Sequence, residues 1–308
     1  MSDGARTYAA AGVSLAAAGA VVDRLRAAVE AARTPNVVGD FGGFAGLYAL
    51  DERRLLAAST DGVGTKLILA RERGRLRDAG RDLAAHCIND VLTTGAEPLF
   101  LLDYVAANAL ELEHVAELVE GAADVCREAG CALLGGETAE LPGIYRDEEL
   151  DFAGTCVGVV ERGDLIDGRR AAEGDAIVGL PSAGVHANGF TLVRRVLEDE
   201  DYDAPDLLAP TRLYLTQVRA LRARADVRAL AHVTGGGIAA NLARVLPGNL
   251  QPHIRWDAWE RPAVFAWLAR HVGEEELRRV FNLGVGYCAV VPAADVGHDD
   301  LVIGTVGA

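Results

Sequence analysis

A mixed α/β protein built from two domains is what this chain predicts. Helix-period stretches alternate along its whole length with short apolar or β-branched runs. Glycine-containing loops follow four of the predicted strands. A polar stretch over residues 161–174, with three glycines and the pair Arg169-Arg170, separates two halves of similar size. A length of 308 residues also favours two domains. The class is therefore α+β, with one domain over residues 1–165 and a second over 172–308.

The elements follow in order. A first helix spans 16–32, where Val21, Val22, Leu25 and Val29 recur at helical spacing with arginines between them. A strand at 55–59 ends in the loop Thr60-Asp61-Gly62-Val63-Gly64-Thr65-Lys66. A helix over 78–94, a buried strand at 99–105 and a long amphipathic helix over 112–129 come next. A strand at 132–134 runs into the loop Gly135-Gly136-Glu137-Thr138, and 152–160 is another strand. The second half restarts with a strand at 176–180, the loop 181–189 and a helix over 190–197. Acidic residues 198–206 read as a solvated loop, and 211–223 as a helix. A strand at 230–233 meets Gly235-Gly236-Gly237, which opens a helix running through Val245. Short helices at 262–271 and 274–280 precede strands at 286–291 and 301–306.

Charge narrows the function. Thirty basic residues face 45 acidic ones, a formal net charge of −15. Such a surface repels nucleic-acid phosphate and anionic lipid, which argues against both as partners. An anionic small molecule stays open, because a metal ion or a helix N-terminus can hold phosphate inside an acidic protein. No apolar run reaches membrane-span length, and no basic stretch precedes an apolar core at the start, so the expectation is a soluble, cytoplasmic protein. Cys87, Cys126, Cys131, Cys156 and Cys288 form no CxxC pair and no zinc spacing, and read as buried thiols.

Glycine loops carry the candidate chemistry, since glycine lets backbone N–H groups approach phosphate. None matches the Walker pattern or opens a Rossmann helix after the first strand. Asp61 and Lys66 share one loop, and Lys66 is the one lysine of the chain. A magnesium ligand with a phosphate-binding ammonium, or a tight turn with a solvated Asp, both fit. Asp90 is either a ligand or an ordinary helix-surface acid. Glu137 follows a strand's carboxyl end, where open α/β sheets place ligands, and Glu140 fits equally well as a helix-start carboxylate. His186 and Asn188 sit in a Gly-bounded loop ahead of a helix, suited to acid/base work or to structure. The Thr234-Gly235-Gly236-Gly237 turn holds an anion or lets strand and helix pack closely.

Taken together, these strings resemble one family. Asp90-x4-Gly95-Ala96-x-Pro98 is similar to a signature of a superfamily of ATP-using enzymes that includes thiamine-monophosphate kinase, selenophosphate synthetase and formylglycinamidine ribonucleotide synthetase. The ordered set Thr60-Asp61-Gly62-Val63-Gly64-Thr65-Lys66, Gly135 to Glu140, His186-Ala187-Asn188-Gly189, His232-Val233-Thr234-Gly235-Gly236-Gly237 and Phe281 to Gly286 resembles the phosphoribosylformylglycinamidine cyclo-ligases, from about Tyr8 to Gly304. The resemblance implies ATP-dependent ring closure of formylglycinamidine ribonucleotide, with ATP and Mg2+ required and a monovalent cation compatible. It implies metal ligands at Asp61, Asp90 and Glu137. Nucleotide contacts fall at Gly42, Gly43, Asp61, Gly62, Gly64, Thr65, Lys66, Thr138, Gly235 and Gly236, and Lys66, His186 and Asn188 act in catalysis. It further implies a homodimer formed by the first domain, and a second domain that packs helices on a sheet. Ala187 departs from the family, which usually carries Ser there. A small-molecule kinase of the same superfamily and a non-catalytic nucleotide-binding dimer are the rival readings.

Overall fold

The computed structural model describes residues 6–308, so residues 1–5 of the expected first domain lie outside the described residues. Six strands form the first sheet: β1 (Val37–Val38), β2 (Gly46–Ala49), β3 (Arg54–Gly62), β4 (Glu97–Ala107), β5 (Ala132–Glu140) and β6 (Leu150–Glu161). Their order is β1-β2-β3-β6-β4-β5, and the pairing is antiparallel except between β4 and β5. That parallel pair needs a crossover, which the helix α4 (Leu112–Ala129) supplies. Along β3 the side chains alternate: Leu55, Ala57 and Ser59 are buried beneath the helices, while Arg54, Ala58 and Thr60 stay exposed. Helices α1 (Leu15–Ala31), α2 (Lys66–Glu72) and α3 (Leu76–Leu92) complete this half.

Helix α3 lies against α4 at close range, and two glycines set the distance. A methyl group on Gly80 would meet the Leu118 carbonyl oxygen at 2.0 Å, and one on Gly121 would meet that of Arg77 at 1.9 Å. Backbone contact of this kind draws α3 down onto the sheet, and it is buried along nearly its whole length. Helix α1 differs. Ser14 caps it by accepting the Ala17 N–H at 3.1 Å, yet Val21, Leu25 and Val29 remain exposed.

The second sheet has β7 (Ala176–Pro181), β8 (Ala229–His232), β9 (Gln251–Ile254), β10 (Val285–Val291) and β11 (Val302–Gly307), in the antiparallel order β8-β10-β7-β11-β9. Helices α5 (Phe190–Leu197), α6 (Pro205–Leu208), α7 (Leu215–Arg222), α8 (Gly237–Ala243), α9 (Ala263–Leu268) and α10 (Glu274–Val280) surround it. Strand β10 is buried on both faces and reads as an unbroken apolar run. Its Tyr287, Ala289 and Val291 join the core that contains α3, whereas Cys288 and Val290 pack with Ile238 and Leu242 of α8. The first core thus runs through both halves of the chain without a break.

Several boundaries shift from the sequence-based expectation. Gly135 and Gly136 lie inside β5, which continues to Glu140, so no loop follows Leu134. Helix α2 begins at Lys66, where the glycines suggested only a loop. Residues 211–214 stay non-helical and run across α3 before α7 starts. The short α6 interrupts what read as a solvated acidic loop, with Leu207 and Leu208 buried. All five cysteines are buried and unpaired.

Candidate active site

One face of α3 is polar although it is buried. Asp82, His86, Asn89 and Asp90 recur at helical spacing and all point toward the second half of the chain. Desolvated polar groups must be paired, and each of these is. Asp82 Oδ1 accepts the Thr211 N–H at 2.8 Å and its hydroxyl at 2.7 Å. Asn89 donates to the Arg212 carbonyl and accepts the Tyr214 N–H. His86 Nε2 lies 2.9 Å from Asp61 Oδ2 at the end of β3. Asp90 accepts the Ser59 hydroxyl at 3.1 Å and faces His232 Nδ1 at 2.9 Å. This is the seam of the molecule, and its middle carries two carboxylates and two imidazoles.

Electrostatics separate the histidines. Burial pushes the His86 pKa down, but Asp61, its hydrogen bond and Asp90 outweigh burial and hold it up at about 9. His86 is therefore an imidazolium at neutral pH. Burial lowers His232 instead, against the pull of Asp90. A neutral His232 that donates from Nδ1 to Asp90 leaves its Nε2 as an acceptor. Side-chain atoms of His86, Asp90 and His232 lie within 4.8 Å of one another. The Asp61 side chain is 42% exposed.

Glycine loops from both halves surround this centre. Thr65 Oγ1 is 3.0 Å from Thr191 Oγ1, which ties the end of β3 and the turn that follows it, with Gly62 and Gly64, to the start of α5. Asn188 is half-buried and faces Gly235. Gly42 and Gly43 line a cleft of about 340 Å³, walled also by Thr93, Thr94, Arg169 and Arg244. Thr93 and Thr94 directly follow α3, one turn beyond Asp90, so this cleft adjoins the polar seam.

Four expected site residues lie in settings that the sequence did not suggest. Lys66 is fully buried, with Nζ 2.6 Å from Asp82 Oδ2 and 3.1 Å from the Ala209 carbonyl oxygen it donates to. Burial lowers its pKa while Asp82 opposes that change. Glu137 is not brought to Asp61 and Asp90. In register it pairs with Tyr104, then Ala153, then Gly62, which places it on the open face of the sheet, opposite to Asp61. Thr138 shares the edge strand with Glu137, three strand spacings or roughly 14 Å from β3. His186 turns inward: its Nε2 accepts the Ala183 N–H at 3.2 Å and its buried Nδ1 has no partner among the described residues. Burial holds its pKa well below 6.5, with His232 and Lys66 adding to the effect, so it is neutral.

Sequence reasoning missed Ser59, Asp82, His86 and Arg244, and gave no role to His232, which it held only within the string that ends in Gly237. The signal was there in α3, as polar residues at i, i+4, i+7 and i+8 in a stretch, 82–92, that is otherwise apolar.

Among family descriptions, "AIR synthase related protein, N-terminal domain" matches residues 42–160 and the corresponding C-terminal domain matches 172–298. A phosphoribosylformylglycinamidine cyclo-ligase of Synechococcus sp. (strain CC9605) is 49% identical over 304 residues, covering 93% of this chain and 88% of that one. Its counterpart in strain CC9311 is 48% identical, covering 94% and 89%. Among solved structures, thiamine-monophosphate kinase from Aquifex aeolicus superposes with a TM-score of 0.64 at 17% identity, covering 96% of each chain. The kinase of that name from Stenotrophomonas maltophilia gives 0.62 at 21%, covering 94% and 93%. At such identities the likeness is one of fold.

Proposed function

The chain belongs to the phosphoribosylformylglycinamidine cyclo-ligase family, and from that membership we propose how its interdomain seam divides the chemistry. The reaction is ATP-dependent ring closure of formylglycinamidine ribonucleotide to 5-aminoimidazole ribonucleotide, a step of purine biosynthesis. The formyl amide oxygen takes the γ-phosphoryl group as the bond to ADP breaks. The amidine nitrogen then attacks the same carbon and loses a proton, and the carbon–oxygen bond to phosphate breaks. Little covalent help from side chains is needed; positioning and charge compensation dominate such transfers.

The observation that carries the site is the convergence of Asp61 and Asp90 beside His86 and His232 with glycine loops of both halves. Asp61 and Asp90 are the residues that would hold Mg2+, whose ordinary demand is one or two carboxylates completed by water and phosphate oxygens. When bound, that ion supplies charge neutralisation for the phosphates. The open Asp61 carboxylate fits this role without Glu137. His232, fixed by Asp90, presents Nε2 toward the seam. Asn188 and the Gly235-Gly236 turn face the transferred group or the substrate, and Gly42 and Gly43 face the nucleotide. His186, turned inward, positions the loop that carries Asn188. Buried free thiols suit a reducing cytoplasm, and no helix among the described residues is long and apolar enough to cross a membrane.

The protein acts as a homodimer through the open face of the first sheet. Leu99, Leu102, Tyr104, Tyr48 and Leu134 leave 37–62% of their surface exposed on or beside that face, an apolar expanse that a lone soluble chain rarely leaves uncovered. Leu102→Asp is expected to yield a monomer by light scattering, with the secondary structure of the parent. A dimer that survives the change overturns the placement.

The reaction is tested by supplying formylglycinamidine ribonucleotide, ATP and Mg2+ and following phosphate and the diazotisable aminoimidazole together. Equimolar appearance is expected. ATP turnover without the aminoimidazole would turn the assignment toward a kinase.

A further inference from the structure

Arg244 caps the end of α8 in the second half of the chain, yet its guanidinium reaches the glycine loop of the first half. Nη2 lies 3.3 Å from the Gly42 carbonyl oxygen and 3.2 Å from that of Gly43. The guanidinium carbon sits 4.0 Å from the centroid of the Phe44 ring. Its other arm donates to Asn241 Oδ1 at 3.3 Å. Asn241 in turn is fully buried and donates from Nδ2 to the carbonyls of Thr234, Gly235 and Gly237, the last at 2.8 Å. One continuous hydrogen-bonded path therefore joins the Gly42-Gly43 loop to the Thr234–Gly237 turn across the domain seam.

The path also fixes direction. In a trans peptide the C=O of one residue and the N–H of the next point opposite ways. With both carbonyls turned to Arg244, the N–H groups of Gly43 and Phe44 face away from it, and among the described residues neither has a hydrogen-bond partner. Gly42 takes φ +112°, a conformation that an L side chain resists, so the loop does not reach this arrangement through ordinary residues. Anion binding by backbone N–H groups depends on such convergence being set before the ligand arrives.

We propose that Arg244 is a positioning residue for the nucleotide: with Nη2 on the Gly42 and Gly43 carbonyls, Nη1 on Asn241 and its stack on Phe44, it presents the first glycine loop to ATP phosphate and holds it in register with the second. This rests on the reading that the Gly42-Gly43 loop contacts ATP. Lysine cannot reproduce it, because a point charge lacks the planar fork and the stacking surface.

The test compares Arg244→Ala, Arg244→Lys and Gly42→Ala by steady-state kinetics, with melting temperatures alongside. Arg244→Ala is expected to raise KM for ATP about tenfold, the effect of roughly 1.4 kcal/mol, with KM for formylglycinamidine ribonucleotide within about twofold of the parent. Arg244→Lys is expected to recover less than half of the loss. A merely structural role would lower melting temperature and active fraction and leave both KM values alone. If Gly42→Ala raises KM for ATP while Arg244→Ala does not, the positioning role is overturned and the loop assignment stands. If neither variant moves it, the loop assignment itself is wrong.

Discussion

Asn in place of Asp90 is expected to lower kcat by 10²–10³-fold or more while the protein still folds. Asp90 is 6% exposed and accepts from Ser59 and His232, and an amide of the same size still accepts one of those bonds. What is lost is charge. His232 loses the anion that fixes its Nδ1–H, and the seam loses one of the two carboxylates available to a cation. Removing a single preorganised charge-stabilising group from a catalytic site costs about 10²–10³ in rate, and the same residue here also orients an imidazole. The measurement is the coupled phosphate and aminoimidazole assay at saturating Mg2+, with circular dichroism on the same sample. Turnover near the parent value in a folded variant would remove Asp90 from the chemistry.

How legible the molecule was depends on which part is asked. Long periodic segments announced themselves: α4 spans the expected residues 112–129, and α5 matches 190–197. Short pieces such as β1, β9 and α6 carry too few residues for a period to register. The loops bearing Asn188 and Gly235 were readable because glycine punctuates strand ends, whereas Asp61, expected in a loop, lies in β3. Glu137 misled for a physical reason: a strand fixes which face each residue takes, and that face depends on the register of β3, β6, β4 and β5 together. Local sequence does not contain that register. Asp82 and His86 were hidden differently, since a polar residue on a helix looks solvated until another domain covers it.

Lys66 is where those two views make opposite predictions. As a phosphate contact it would be exposed, and Lys66→Met would raise KM for ATP in a protein of unchanged stability. Instead the ammonium is fully buried, paired with Asp82, bonded to the Ala209 carbonyl and 5.4 Å from the Phe190 ring centroid. Asp82 simultaneously holds Thr211, so the pair pins residues 209–211 of the second half onto α3. Removing one partner of a buried pair strands the other as an uncompensated charge, which costs about 3–5 kcal/mol. For a chain of this size each kcal/mol lowers Tm by about 2–4 °C, so Lys66→Met is expected to melt on the order of 10 °C below the parent. Adding Asp82→Asn should return part of that loss, because the amide still accepts from Thr211 and no charge remains to strand. The sign of this coupling separates an ion pair from two independent contacts. A single variant that melts within about 2 °C of the parent, or a double variant worse than the sum of both singles, would show that the pair does not hold the seam.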